Sequence, residues 1–101
     1  MVVNFKTWLI SWLVPDDLWG IYIGDLCEIH DEDYAKGGSE IDRSLADTKF
    51  RDRIAIRVYN KLLRNGIKWK KANKKATLAA TIYYIGVDLG GKEHFNYNKE
   101  K

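Results

Sequence analysis

A small all-α domain is the fold class this sequence predicts, on three observations. Apolar residues recur every three or four positions over most of the chain, the spacing that lines one face of a helix. Breakers are scarce, with one proline and eight glycines in 101 residues, fewer than strand-and-turn architectures need. Five of the eight glycines close periodic segments, at Gly37–Gly38, Gly66 and Gly90–Gly91.

The length suits one domain spanning residues 1–101, and 46% apolar content supplies one ordinary core. The single cysteine, Cys27, excludes an internal disulfide framework and a cysteine-based zinc site. A formal charge of +3 is mildly basic, short of a nucleic-acid footprint, so nucleic acid is not an expected partner. No apolar run reaches the ~20 residues of a membrane span. The opening MVVNFKTWLISWLVPDD lacks a basic lead and a small-residue cleavage site, so it is expected in the mature protein.

Four helical segments follow in order. The first covers about residues 3–13, where Phe5, Trp8, Leu9, Trp12 and Leu13 share a face; Pro15 ends it, because the residue before proline resists the helical conformation. The stretch DLWGIYIG is expected as a short extended piece or a loop. The second helix runs from Asp25, a good N-cap, to Lys36, and the double glycine closes it. Ser39 caps the third, which is long, charged and amphipathic and ends at Gly66. IKWKKANKK is then a basic connector. The fourth runs from about Asn73 to Leu89; Ala76, Ala79, Ala80, Ile82, Tyr83, Ile85 and Val87 go most of the way round it, which predicts the most buried helix. The tail is expected to be ordered through Phe95 and frayed beyond it.

Polar residues on apolar faces point to a site. Cys27, His30 and Tyr34 follow a three-to-four spacing on one side of the second helix, with Glu28, Glu32 and Asp33 turned away and Asp31 at the edge. On the third helix Asp47 shares a stripe with Phe50, Ile54, Val58 and Leu62. An aspartate there is costly unless something pairs with it. The short Gly-Gly-Ser connection favours an antiparallel hairpin. His30 lies eight residues before Gly38 and Asp47 eight after Ser39, so the two fall at one height. His30 is the expected partner of Asp47, with the Tyr34 hydroxyl as a third member. Such a pair is either a polar knot that fixes helix register or a base oriented by a carboxylate. Cys27 is expected as a buried small hydrophobe.

CEIHDEDY, followed by AD and then F, resembles the catalytic core of the phospholipase A2 superfamily. There a helix carrying C-x-x-H-D-x-x-Y meets an aspartate on an antiparallel helix. The likeness is closest to short, disulfide-poor variants such as the parvovirus capsid domain, and similar segments occur in small bacteriophage proteins. It covers roughly residues 24–50. It implies a phospholipase A2-like hairpin, His30 as the catalytic base for water, Asp47 as the residue orienting it, Tyr34 as a hydrogen-bonding member, and Asp31 as a calcium ligand. The family's glycine-rich metal loop has only Gly20 and Gly24 as counterparts here. A viral source, with no leader or span evident, implies the host cytoplasm.

Lysines 68, 70, 71, 74 and 75 surround Trp69. They form a solvated linker, an anion site in which Lys70, Lys71 and Lys74 act with Arg43, or a patch for an anionic membrane surface. Three functions compete. One is hydrolysis of phospholipid or another phosphate-bearing ester, with calcium as the cofactor the resemblance implies. Another is sequestration of an anionic signalling nucleotide by a phage anti-defence protein. The third is a protein-binding inhibitor that uses the hairpin as scaffold.

Overall fold

The computed structural model describes residues 17–18 and 20–97, with backbone only for Asp17, Leu18 and Lys92. The helix expected over residues 3–13 lies outside them, as does Trp19. The described chain is mostly helical. Its elements are β1 (Asp17–Leu18), β2 (Ile21–Tyr22), α1 (Gly24–Lys36), α2 (Glu40–Arg64), α3 (Trp69–Gly90) and a 3-10 turn at Gly91–Glu93. The stretch left open between loop and strand is a two-residue antiparallel ladder, Asp17 opposite Tyr22 and Leu18 opposite Ile21. Gly20 makes its turn with φ +74, a conformation that costs glycine nothing.

Ser39 starts α2 with a capping box. Its hydroxyl accepts from the Asp42 amide, and the Asp42 carboxylate accepts from the Ser39 amide at 2.9 Å, which satisfies donors a helix start otherwise leaves open. Glu40 and Asp42 at the start and Lys61 and Arg64 at the end complement the helix dipole. The buried stripe is Arg43, Ala46, Asp47, Phe50, Ile54, Val58 and Leu62, as the periodicity predicts. Phe50, Ile54, Val58 and Leu62 each contribute about 1.5–3 kcal/mol when fully buried.

α1 and α2 are antiparallel neighbours: His30 meets Asp47, while Asp25, earlier in α1, meets Arg57, later in α2. α2 and α3 form the larger hairpin. Gly66 turns it with φ +89, and the Ile67 amide donates back to the Leu62 carbonyl at 3.0 Å. The basic stretch is the first turn of α3 rather than a connector. Nothing after Gly66 breaks a helix, and lysine is a good helix former.

α3 buries a face of small residues (Ala72, Ala76, Ala79, Ala80 and Gly86) with Tyr83 and Val87. Ile82 and Ile85, expected inside, are 42% and 50% exposed. α3 is thus one-sided among the described residues. The main core joins Ile21, Ile23, Leu26 and Cys27 to Phe50, Ile54, Val58 and Leu62 and to the alanine face of α3. No helix among the described residues is long and apolar enough to cross a membrane.

The tail stays ordered past Phe95 and straps the α1–α2 turn. The Asn96 amide donates to the Tyr34 carbonyl at 3.2 Å, and the Asn96 carbonyl accepts from the Gly38 amide at 3.1 Å. The Asn96 side chain donates to the Ala35 carbonyl, and the Tyr97 hydroxyl donates to Glu40 at 2.6 Å.

Candidate active site

Asp47 is the centre of a buried polar cluster. His30 Nε2 lies 2.7 Å from Asp47 Oδ1, and the Tyr34 hydroxyl donates to that same oxygen at 2.6 Å. Arg43 Nη1 donates to the other oxygen, Oδ2, at 3.2 Å. All four side chains are at least nine-tenths buried, His30 and Asp47 at 1% exposure. With Nε2–H donating to Asp47, the imidazole carries its lone pair on Nδ1.

Aromatic rings hold the imidazole in place. The Tyr34 ring lies 4.3 Å from it and the Phe50 ring 4.7 Å, centroid to centroid. Phe95 packs edge-on against Tyr34 at 5.0 Å. The start of the 3-10 turn also closes on the site, since a Cβ on Gly91 would overlap the Tyr34 hydroxyl. The tail is therefore part of the wall around this cluster. The sequence offered one signal for that, the aromatic pair Phe95 and Tyr97 after an otherwise polar end.

Burial sets the protonation. Desolvation pushes His30 below the usual histidine range, against the pull of Asp47, so the neutral, proton-accepting form is favoured. Tyr34 is pushed far above the usual tyrosine range by burial and by the carboxylate beside it. Its hydroxyl serves as a fixed donor.

Arg43 is not an open anion site. It bonds both Glu40 oxygens as well as Asp47, and its guanidinium lies 3.8 Å from Asp88. Nor does it meet the lysines. Asp88 marks its height near the end of α3, whereas Lys70, Lys71 and Lys74 occupy the opening turns, roughly 21–27 Å away at 1.5 Å per residue. The four residues expected to share one anion stand at opposite ends of the α2–α3 hairpin. The three lysines are exposed beside Trp69, which is 60% exposed. Lys70 Nζ sits 5.5 Å from the Trp69 ring centroid. With Asn73 these residues line a surface hollow of about 510 Å³.

No group of three or more His, Cys, Asp or Glu side chains converges among the described residues. Calcium takes six to eight oxygens. Arg57 pairs with Asp25 and donates to the Tyr22 carbonyl at 3.3 Å. Asp31 is half-buried at the edge of α1, about 240° around the helix from Asp25, so the two carboxylates share no face. Of the four residues the resemblance singles out, His30, Tyr34 and Asp47 are brought together and Asp31 stands apart from them at the edge of α1.

Comparison with protein-family models, with characterised proteins and with solved structures finds no match to this chain. The reading of the site therefore rests on its own geometry.

Proposed function

We propose that the protein is a phospholipase A2-like hydrolase, built on the α1–α2 hairpin, that cleaves phospholipid or another phosphate-bearing ester at His30. The observation that carries this reading is the 2.7 Å contact of His30 Nε2 with a buried Asp47 oxygen that Tyr34 also holds. Asp47 and Tyr34 fix the tautomer and the ring orientation. His30 is 1% exposed here, so the reaction requires an opened form of the site, in which Nδ1 of the neutral imidazole takes a proton from water and the hydroxide adds to the ester carbonyl. The carbonyl–alkoxy bond then breaks, and the imidazolium returns its proton to the leaving alkoxide. Asp47 stabilises the imidazolium meanwhile.

The test is fatty-acid release from mixed phospholipid vesicles, with and without added calcium. The whole chain is expected to release fatty acid, and His30→Gln to lower the rate by about 10²–10⁴-fold. No release under either condition, or release unchanged in His30→Gln, would sink the reading.

A second reading has its own observation, the exposed hollow of Trp69, Lys70, Lys71, Asn73 and Lys74. An indole with the Lys70 ammonium over its ring and Lys71 and Lys74 lining the same hollow suits a nucleotide, its base against the indole and its phosphates among the lysines. This moves nucleotide sequestration away from Arg43 to the far end of the hairpin. Calorimetric titration with a cyclic dinucleotide separates the readings. Binding lost in Trp69→Ala and kept in His30→Gln favours sequestration.

A further inference from the structure

Neither reading uses the outer face of α3. Leu78, Ile82, Ile85 and Leu89 are 57%, 42%, 50% and 69% exposed. Single exposed apolar residues are ordinary. These four are spaced four, three and four residues apart, the interval that aligns side chains into one seam along a helix. The seam is about 16 Å long at 1.5 Å per residue, and it lies to one side of the alanine face packed on α2.

We propose that this seam is an interface with a second copy of the chain, in which two α3 helices pair antiparallel. The spacing is the same read in either direction. A two-fold axis midway between Ile82 and Ile85 therefore sets each Leu78 opposite the other copy's Leu89, and each Ile82 opposite the other copy's Ile85. That is the self-complementarity an isologous contact requires.

Charge chooses the direction. The opening turns of α3 carry Lys70, Lys71, Lys74 and Lys75, with no acid in the first turn. Its far end is close to neutral: Asp88 lies 3.8 Å from the Arg43 guanidinium, and Lys92 and Glu93 follow in the 3-10 turn. Antiparallel pairing lays the lysines of one copy toward this near-neutral end of the other and keeps the two lysine clusters apart. Parallel pairing would stack lysine on lysine, which costs energy. A lipid surface is the other apolar partner for such a seam. An interfacial helix carries cations along its polar margins, and here Asp88 stands next to Leu89.

Four apolar residues per copy make a small interface, so the dimer is expected to be weak, with Kd on the order of tens of micromolar. Sedimentation equilibrium of the whole chain from micromolar to millimolar concentration is expected to show a monomer–dimer equilibrium. Ile82→Glu and Ile85→Glu should each shift it to monomer with unchanged helical circular dichroism. Direction is read by cross-linking: Leu78→Cys mixed with Leu89→Cys should form a mixed disulfide faster than Leu78→Cys forms one with itself. Monomer at every concentration overturns the proposal. So does faster self-linking of Leu78→Cys, or a monomer that co-floats with phosphatidylserine vesicles and is released by Ile82→Glu. Should Ile82→Glu unfold the chain, the cross-links decide; none forming means that the seam is covered from within one copy. None of these outcomes depends on whether His30 is catalytic.

Discussion

Arg43 holds the Asp47 oxygen that His30 leaves. The two sit one helical turn apart on α2, with Nη1 3.2 Å from Oδ2, while His30 and Tyr34 share Oδ1. Three donors thus converge on one buried carboxylate from both helices of the hairpin, and it joins them as no apolar contact there does. Asp47→Asn keeps the shape and removes the charge. Breaking a buried pair costs about 3–5 kcal/mol, and Glu40 remains as a partner for Arg43. A loss of about 3 kcal/mol is expected, read as a lower urea midpoint with unchanged slope. A loss under about 0.5 kcal/mol would mean that the cluster adds nothing to stability. Tyr34→Phe removes one donor of three and should cost about 1.5 kcal/mol.

Stability should fall as the solution is acidified through the histidine range. Burial lowers the His30 pKa in the folded state below its value of 6.5 in the unfolded chain. Between the two values the unfolded state binds the extra proton. The contribution of neutral His30 is therefore complete above about pH 6.5 and lost as pH falls toward the folded pKa. Urea unfolding between pH 8 and pH 5 should show this slope, and His30→Gln should flatten it. Were the slope the same in both proteins, other groups would carry it. If His30 is the catalytic base, hydrolysis should persist to a lower pH than an exposed histidine would allow.

The other ion pair between α1 and α2 should matter far less. Asp25 and Arg57 form a close pair, but their side chains are 48% and 36% exposed. Water screens such pairs, and they are worth about 0.2–1 kcal/mol. Asp25→Asn is expected to cost about 0.5 kcal/mol at low salt and less in 1 M salt, again by urea unfolding. A cost near that of Asp47→Asn would show that Arg57 anchors the β1–β2 turn through the Tyr22 carbonyl more firmly than its exposure implies.

The His30–Asp47 contact was legible because two constraints agreed. An aspartate on the apolar stripe of α2 demanded a partner, and the equal spacing of both residues from the double glycine placed one there. Ser39 marked the start of α2 because its capping chemistry is local. The start of α3 was less legible, since a lysine run looks like a solvated linker and is also a good helix. The exposure of Ile82 and Ile85 could not be read from the pattern. A helix apolar nearly all round does not say which face meets a neighbour. The partners of Arg43 were half legible: Asp47 follows from a one-turn spacing, but Asp88 is brought in by the α2–α3 hairpin. The hydrogen bonds of the strap are tertiary, because the Asn96 contacts cross more than fifty residues of chain; only the aromatic pair Phe95 and Tyr97 marked the tail.

Gly37 is where that strap can be tested. Its backbone, at φ 72 and ψ −159, lies in a region nearly reserved for glycine. A Cβ built there would also overlap the Asn96 carbonyl oxygen, which accepts the Gly38 amide. Gly37→Ala therefore carries two penalties. Backbone strain costs about 1–3 kcal/mol, and the tail must move away from the turn. Global stability should fall by at least that strain. Amide exchange should accelerate at Gly38 and Asn96, which donate across the strap, more than at Ile54 or Val58 in the middle of α2. Because Phe95 packs on Tyr34, displacing the strap should also unsettle the ring that holds His30. Exchange that rises uniformly along the chain would mean that the strap only adds global stability. Exchange confined to the strap, with the Tyr34 side chain undisturbed by NMR, would separate the tail from the Asp47 cluster.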